Sequence, residues 1–207
     1  GNIYHTVTIG NQVWMVENLK VTHFKDGTAI NHVVQDDWFG YPFAAYCDYL
    51  DNPTWSASYG RLYNWSAVMD PKGLAPEGWR IPNDNDWQVL EMSAGMLAAE
   101  ADIMNAWRGS DEGGKLKEAG TSHWVIPNTG ATDEFGFAAM PGGWRGAGGH
   151  ESSVELAGRY WTSNIYNGGL YEYDALFRGL DYNRADILRG HLPRGTGMSV
   201  RCIKETR

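Results

Sequence analysis

The 207-residue chain has two cysteines, no apolar run long enough to cross a bilayer, no basic cluster and none of the short motifs that mark common enzymes. Each absence removes a class. Cys47 and Cys202 are too few for a disulfide framework and too far apart in sequence for a zinc knuckle. Either they pair or they are two buried thiols; paired, they would close a loop of about 155 residues, worth roughly 4 to 5 kcal/mol if unstrained. A transmembrane span and a signal-like apolar segment are both missing. Gly1 reads as a processing or cloning remnant, so the expectation is a targeting segment removed from a longer precursor. A net charge of −8, with no run of Lys or Arg to neutralise phosphates, disfavours nucleic acid and an anionic membrane surface. A nucleophile elbow, a phosphate-cradling glycine loop and a zinc motif are all lacking.

What is present is aromatic and glycine-rich: 10 Trp and 11 Tyr supply large pieces for a core, and 26 Gly imply many turns between short elements. The length suits one sizeable core, read as a single domain over residues 1–207. Alternation at Ile3, Val7, Ile9, Val13 and Met15 across Gly10-Asn11 predicts an N-terminal hairpin. Pro82 keeps Ile81 out of the helical region, Asn83 reads as an N-cap and Asp86 completes a capping box. Trp87, Leu90, Ala94 and Leu97 then recur at helical spacing, predicting a helix over 84–94, with a second over 98–107. A short helix over 59–69 would turn Leu62, Trp65 and Val68 inward. Strands are expected at 137–140, 160–165, 174–180 and 197–203, so helices precede antiparallel strands, an α+β pattern. Pro76-Glu-Gly-Trp-Arg80 is echoed by Pro141-Gly-Gly-Trp-Arg145, which reads as two copies of one turn.

Several motifs fall in a family-like order. Ile9-Gly-Asn-Gln-Val-Trp-Met-Val-Glu-Asn-Leu-Lys20, Tyr59-Gly-Arg-Leu-Tyr-Asn-Trp65, Gly78-Trp-Arg-Ile-Pro82, Asn128-Thr-Gly-Ala-Thr-Asp133, Gly136-Phe-Ala-Ala-Met-Pro-Gly-Gly-Trp-Arg145 and Ser199-Val-Arg-Cys202 resemble the Fibrobacter succinogenes major paralogous domain from about residue 3 to 203. The segment around the 84–94 helix start also resembles formylglycine-generating-enzyme-like and C-type-lectin-like domains. The resemblance implies a C-type-lectin-like fold with two helices, short strands and long loops. It further implies an exported bacterial surface protein, often a lipoprotein with a lipid anchor on the precursor, with no general activity attached. Family members often carry a further cysteine just before the Pro-x-Gly-Trp turn, where this chain has Ala75. Oxidase-type relatives bind copper through a closely spaced cysteine pair, and Cys202 has no such neighbour. Formylglycine-generating activity is therefore not expected.

Candidate chemistry is sparse. Asn128, Thr129 and Asp133 offer hard oxygen ligands around a Gly-containing turn, a set that would suit Ca²⁺, although such residues commonly cap turns through their own backbone. No cofactor is required on this reading. Glu134, Asp133 and His150 are the nearest approach to catalytic groups, and the expectation is a protein that is not an enzyme. Aromatics carry the stronger signal. Asp37-Trp-Phe-Gly-Tyr-Pro-Phe43 is apolar yet too Gly/Pro-broken for a buried strand, and Tyr166, Tyr171, Tyr173 and Tyr182 flank glycine-rich turns. Flat rings beside polar loops suit sugars or peptide side chains. Six tryptophans, at 14, 65, 79, 87, 144 and 161, are expected in the core. Arg178, Arg184, Arg189 and Arg194 could receive a carboxylate-bearing ligand or guard strand edges.

The expected site is the surface formed by loops 144–150 and 180–194, with Tyr182 as stacking platform, Arg184 or Arg189 as polar anchor, and Trp144 and His150 alongside. These observations together favour a non-catalytic, secreted or cell-surface adhesion module, periplasmic or outside the cell, that recognises glycan or a surface protein. A structural component of a surface complex is the alternative, with an enzyme third.

Overall fold

A computed structural model describes residues 1–34, 38–168 and 173–205. The expected hairpin is present: β1 (Thr6–Ile9) and β2 (Gln12–Met15) pair antiparallel around Gly10-Asn11, where Gly10 adopts φ +58. Next come β3 (Asn31–His32), β4 (Ala45–Cys47), α1 (Pro53–Tyr59), β5 (Leu62–Tyr63) and α2 (Trp65–Val68). The helix expected over 59–69 is thus divided. Asn52 caps α1 through Thr54 N, Asn64 caps α2 through Ala67 N, and the strand between them pairs with β4.

β6 (Trp79–Arg80) leads into α3 (Asp84–Ser93), whose N-terminus carries the expected box: Asn83 accepts from Asp86 N while the Asp86 carboxylate accepts from Asn83 N. The second helix is shorter than its composition suggests. α4 stops at Ala98–Ala101, Asn105 takes φ +57, and β7 (Ala106–Arg108) brings Trp107 into a sheet opposite Leu188. Sheet pairing overrides helix propensity there. α5 (Glu112–Leu116) follows, then β8 (Gly142–Arg145), β9 (Glu151–Val154), β10 (Ala157–Ile165), β11 (Asp174–Asp181), β12 (Ile187–Pro193) and β13 (Ile203–Lys204). Pro141–Arg145 therefore carries the whole of β8 rather than a second turn, and the strand expected over 137–140 is reduced to one bridge, Ala139 with Lys117.

Strands dominate and helices are short, a mixed α and β architecture. The largest sheet runs β7-β12-β11-β10-β8-β9, a second β1-β2-β13-β6, a third β3-β4-β5. Most pairings are antiparallel, but β10 with β8 and β3 with β4 are parallel. The terminal strands meet, Trp14 opposite Ile203.

Successive residues of a strand face opposite sides, and the six-stranded sheet is buried on both. Trp161, Ala175 and Phe177 face a cluster with Met15, Leu19, Tyr63, Trp65 and Val200. Tyr160, Leu180 and Ile187 face another with Trp14, Leu116, Trp124 and Phe137, against which α3 lays Trp87 and Leu90. Trp87 lies 5.2 Å from Trp14, 5.6 Å from Tyr160 and 6.0 Å from Phe137 by ring centroids. Burial of a side chain this large contributes about 3 kcal/mol. Of the six tryptophans expected inside, those at 14, 65, 87 and 161 are buried, whereas Trp79 and Trp144 are half-buried.

The two cysteines do not pair. Cys202 is buried in the first cluster and Cys47 in a third, with Trp38, Tyr49 and Leu62. Each is held as a free thiol, pushed up to about 12 by burial.

Candidate functional site

The 180–194 segment is not the loop its composition suggests. Residues 187–193 form β12, registered so that Arg189 stands opposite Arg178 on β11. Two like charges facing each other would repel, and α3 resolves this. Its Asp84 and Glu91 lie seven residues apart, two turns along one face. Asp84 accepts from Arg178 Nη1 at 2.8 Å and Arg189 Nη2 at 2.5 Å. Glu91 accepts from Arg178 Nε at 2.6 Å and makes a two-pronged pair with Arg108 at 2.9 Å. Arg108, Arg178 and Glu91 have fully buried side chains. Burial pushes the Asp84 carboxyl up, but the hydrogen bonds and charges of Arg189 and Arg178 more than offset it and hold it below the usual range. Arg178 and Arg189 are thus structural cations.

Tyr182 and Arg184 are likewise engaged. Tyr182 is half-buried against the α3-side cluster, its N–H donating to Leu156 O and its carbonyl accepting from Thr129 N. Arg184 makes a two-pronged pair with Asp186 and lies over the Trp107 ring, 4.4 Å from the centroid. Beneath this turn Lys117 is fully buried, and its ammonium donates to Thr129 O and Asp181 O at 3.0 Å and Arg184 O at 2.8 Å. Burial pushes that amine down to about 8.

The other half of the expected surface faces elsewhere. Trp144 packs on the first cluster, and the 146–150 turn bonds to the Trp38 region through Trp38 N and Ala147 O. His150 is exposed on that turn. Trp144 and Tyr182 therefore belong to different packing clusters, and the structure does not assemble them with Arg184, Arg189 and His150 into one site. Arg189 in particular is used internally.

The calcium candidates are engaged with separate partners. Asn128 donates from Nδ2 to Glu118 O and Gly120 O, with Oδ1 buried and unpartnered. Asp133 accepts from Ala138 N. The Thr129 carbonyl already receives the Lys117 ammonium, which would oppose a second cation there. Among the described residues no group of three or more His, Cys, Asp or Glu is placed to hold a metal. Asp133 and His150 lie in unrelated hydrogen-bonded turns, and Glu134 is exposed.

The aromatic run 37–43 behaves differently. Asp37 and Tyr171 lie outside the described residues. Trp38 is fully buried, Nε1 donating to Val33 O at 3.2 Å and the Arg145 guanidinium lying 4.9 Å from its ring. Anchored so, the loop turns its next ring outward: Phe39 is 73% exposed. Tyr41 is half-buried and meets Phe43 edge-on at 5.8 Å. The 193–195 turn closes against this loop. A Cβ on Gly195 would stand 2.3 Å from Trp38 O, so only glycine permits the approach.

The result is a groove of about 300 Å³ lined by Phe39, Gly40, Tyr41, Ser66, Tyr173, Pro193, Arg194 and Gly195. Tyr173, at the entrance to β11, is 78% exposed. Its carbonyl accepts from Arg194 N, and the Arg194 carbonyl accepts from Trp65 N. The groove wall is therefore fastened to the paired ends of β11 and β12, where Asp174 opposes Pro193. Arg194 itself lies over Trp65 at 4.9 Å. Beside the groove Tyr166 stacks on His191 at 3.8 Å, and His191 Nδ1 lies 2.6 Å from Asp174 Oδ2. The hydroxyls of Tyr41, Ser66 and Tyr173 make no hydrogen bond within the described residues. The arrangement presents flat apolar faces with polar groups at their edges.

Residues 7–204 match the model of the Fibrobacter succinogenes major domain family. No curated protein and no solved structure matches the chain.

Proposed function

Since the chain belongs to the Fibrobacter succinogenes major domain family, we propose that it is a non-catalytic binding module of exported bacterial surface proteins, taking glycan or a protein segment in the aromatic groove. The observation that carries this is the pairing of exposed Phe39 and Tyr173 across a concave surface fastened to two core strands. Rigid backing lowers the ordering cost of binding, and large rings give contact area with few rotatable bonds. The groove replaces the 182–189 surface as the proposed site because it presents exposed rings at Phe39 and Tyr173, where the arginines of the other surface are internally paired.

A C-type-lectin-like relation is part of the proposal. The meeting of the terminal strands and the capped helix against the largest sheet support it. Separate burial of Cys47 and Cys202 supports the lack of oxidase chemistry, because buried thiols with pKa near 12 are poor copper ligands.

Binding to an immobilised glycan and peptide panel, run with and without calcium, tests the reading. Saturable binding that Phe39→Ala with Tyr173→Ala removes at unchanged melting temperature is expected. Binding retained by that double variant, or chemical conversion of the bound ligand, would overturn it.

A further inference from the structure

We propose that the hollow between the 121–126 loop and Glu155 is a second binding site, separate from the aromatic groove, that takes the ammonium head and aliphatic stem of a lysine side chain on an extended protein segment. The hollow measures about 240 Å³ and is lined by Thr121, Ser122, His123, Val125, Ile126 and Glu155, with Trp124 behind them. It lies at the end of β10 and β11 where Ala157 opposes Asp181, whereas the groove adjoins the other end, where Ile165 opposes Ala175.

The backbone brings these groups together. Val125 N donates to Glu155 O at 3.0 Å, and Glu155 N donates to Pro141 O at 2.9 Å, which holds Glu155 at φ +65 between β9 and β10. A non-glycine residue is costly in that conformation, so the surrounding contacts fix where Glu155 stands. Charge then sets the sign of the ligand. Burial and the negative charges of Glu155 and Glu118 push the neighbouring Tyr59 hydroxyl up to about 12. Among the described residues Glu155 has no ion-pair partner. Lys117 lies 5.2 Å from the Trp124 ring, yet its ammonium is given to three backbone carbonyls.

The acceptors select an ammonium. His123 Nδ1 lies 2.8 Å from Glu118 Oε1, and a carboxylate only accepts, so the neutral imidazole carries its proton there and offers Nε2 as an acceptor. The carboxylate of Glu155, this nitrogen and the hydroxyls of Thr121 and Ser122 match the three donors of an ammonium better than the planar fork of a guanidinium. A metal ion is disfavoured, since among the described residues no group of three His, Cys, Asp or Glu is placed to hold one. The apolar part fits a stem rather than a sugar. Trp124 is fully buried and opens no ring face, while Val125, Ile126 and Leu156 stand exposed, Ile126 at 74%. This rim reaches beyond what a free amine would cover, which favours a side chain delivered on a peptide.

Isothermal titration of the full chain tests the site with acetyl-Leu-Lys-Leu-amide, the same tripeptide carrying norleucine or Arg in place of Lys, and free cadaverine. The lysine peptide should bind, and the norleucine peptide should bind at least about tenfold more weakly. Glu155→Gln should weaken the lysine peptide by a similar factor. Ile126→Lys, which sets a competing cation on an exposed position at the mouth, should weaken it by at least about threefold. Phe39→Ala should leave it unchanged, and melting temperatures show that each variant is folded. Equal binding of the norleucine peptide would overturn the ammonium assignment, and tighter binding of the arginine peptide would overturn the choice of lysine. Cadaverine binding as tightly as the lysine peptide would overturn the peptide source. Failure of every probe, or binding that is indifferent to both Glu155→Gln and Ile126→Lys, would reject the site, while leaving the aromatic groove untouched.

Discussion

The two ends of β12 teach different lessons. At Ile187–Arg189 the strand enters a junction in which each charge has a partner: Arg189 with Asp84, Arg178 with Asp84 and Glu91, Arg184 with Asp186, Lys117 with three carbonyls. At Pro193, about 20 Å further along the same strand, the chain turns against Trp38 and opens a groove of exposed rings and uncommitted hydroxyls. Both regions are rich in Arg and Tyr, so residue type alone does not separate them. Commitment does. A group already hydrogen-bonded inside the protein must break those bonds before it can meet a ligand, and that cost cancels much of what it could gain.

The comparison predicts its largest effect at the junction. Glu91→Ala removes the carboxylate between Arg108 and Arg178, leaving the buried Arg108 guanidinium without its carboxylate and Arg178 with Asp84 alone. It should cost about 3 to 5 kcal/mol, seen as a large fall in the urea midpoint. A loss under about 1 kcal/mol would mean that water reaches these charges and that the junction is looser than described.

Replacement of Lys117 comes next. Lys117→Met leaves three carbonyls without their donor and should cost about 2 to 3 kcal/mol at pH 7. Its pH dependence has a definite sign. Lys117 keeps its proton to about 8 when folded, whereas in the unfolded chain it keeps it to about 10.5. Between those values the unfolded state binds more protons, so this residue's contribution to stability grows as pH rises. The gap between wild type and variant should therefore widen from pH 8 to pH 10 in urea titrations. A gap that stays constant or narrows would show that the amine remains charged inside the fold.

These regions also show what the sequence made legible. The hairpin at 6–15 and the capped helix after Pro82 were readable because their signals are local: a Gly-Asn turn, an Asn–Asp box and a 3.6-residue apolar period. β12 was not, since Ile-Leu-Arg-Gly-His-Leu-Pro alternates poorly and its Arg189 faces a carboxylate 105 residues away. A signal did exist, in retrospect. Glu91 adjoins Leu90 on the inward side of an amphipathic helix, where a carboxylate needs a buried cation. The helix expected over 98–107 failed for the opposite reason: local propensity favoured it, but Trp107 gains more from pairing with β12. For the site, the aromatic run 37–43 was visible and its division was not. Trp38 inward and Phe39 outward is decided by the 193–195 turn, about 155 residues on.

The smallest stability effect belongs to the groove, and there the largest binding effect should appear. The most direct test is an aromatic-carbon NMR titration with the glycan or peptide of the panel that binds most tightly. The rings of Phe39, Tyr41 and Tyr173 should shift together and saturably, while Tyr182 and Trp107 stay in place. Coherent shifts at Tyr182 and Trp107, with the groove rings unmoved, would contradict the account and return the site to the junction.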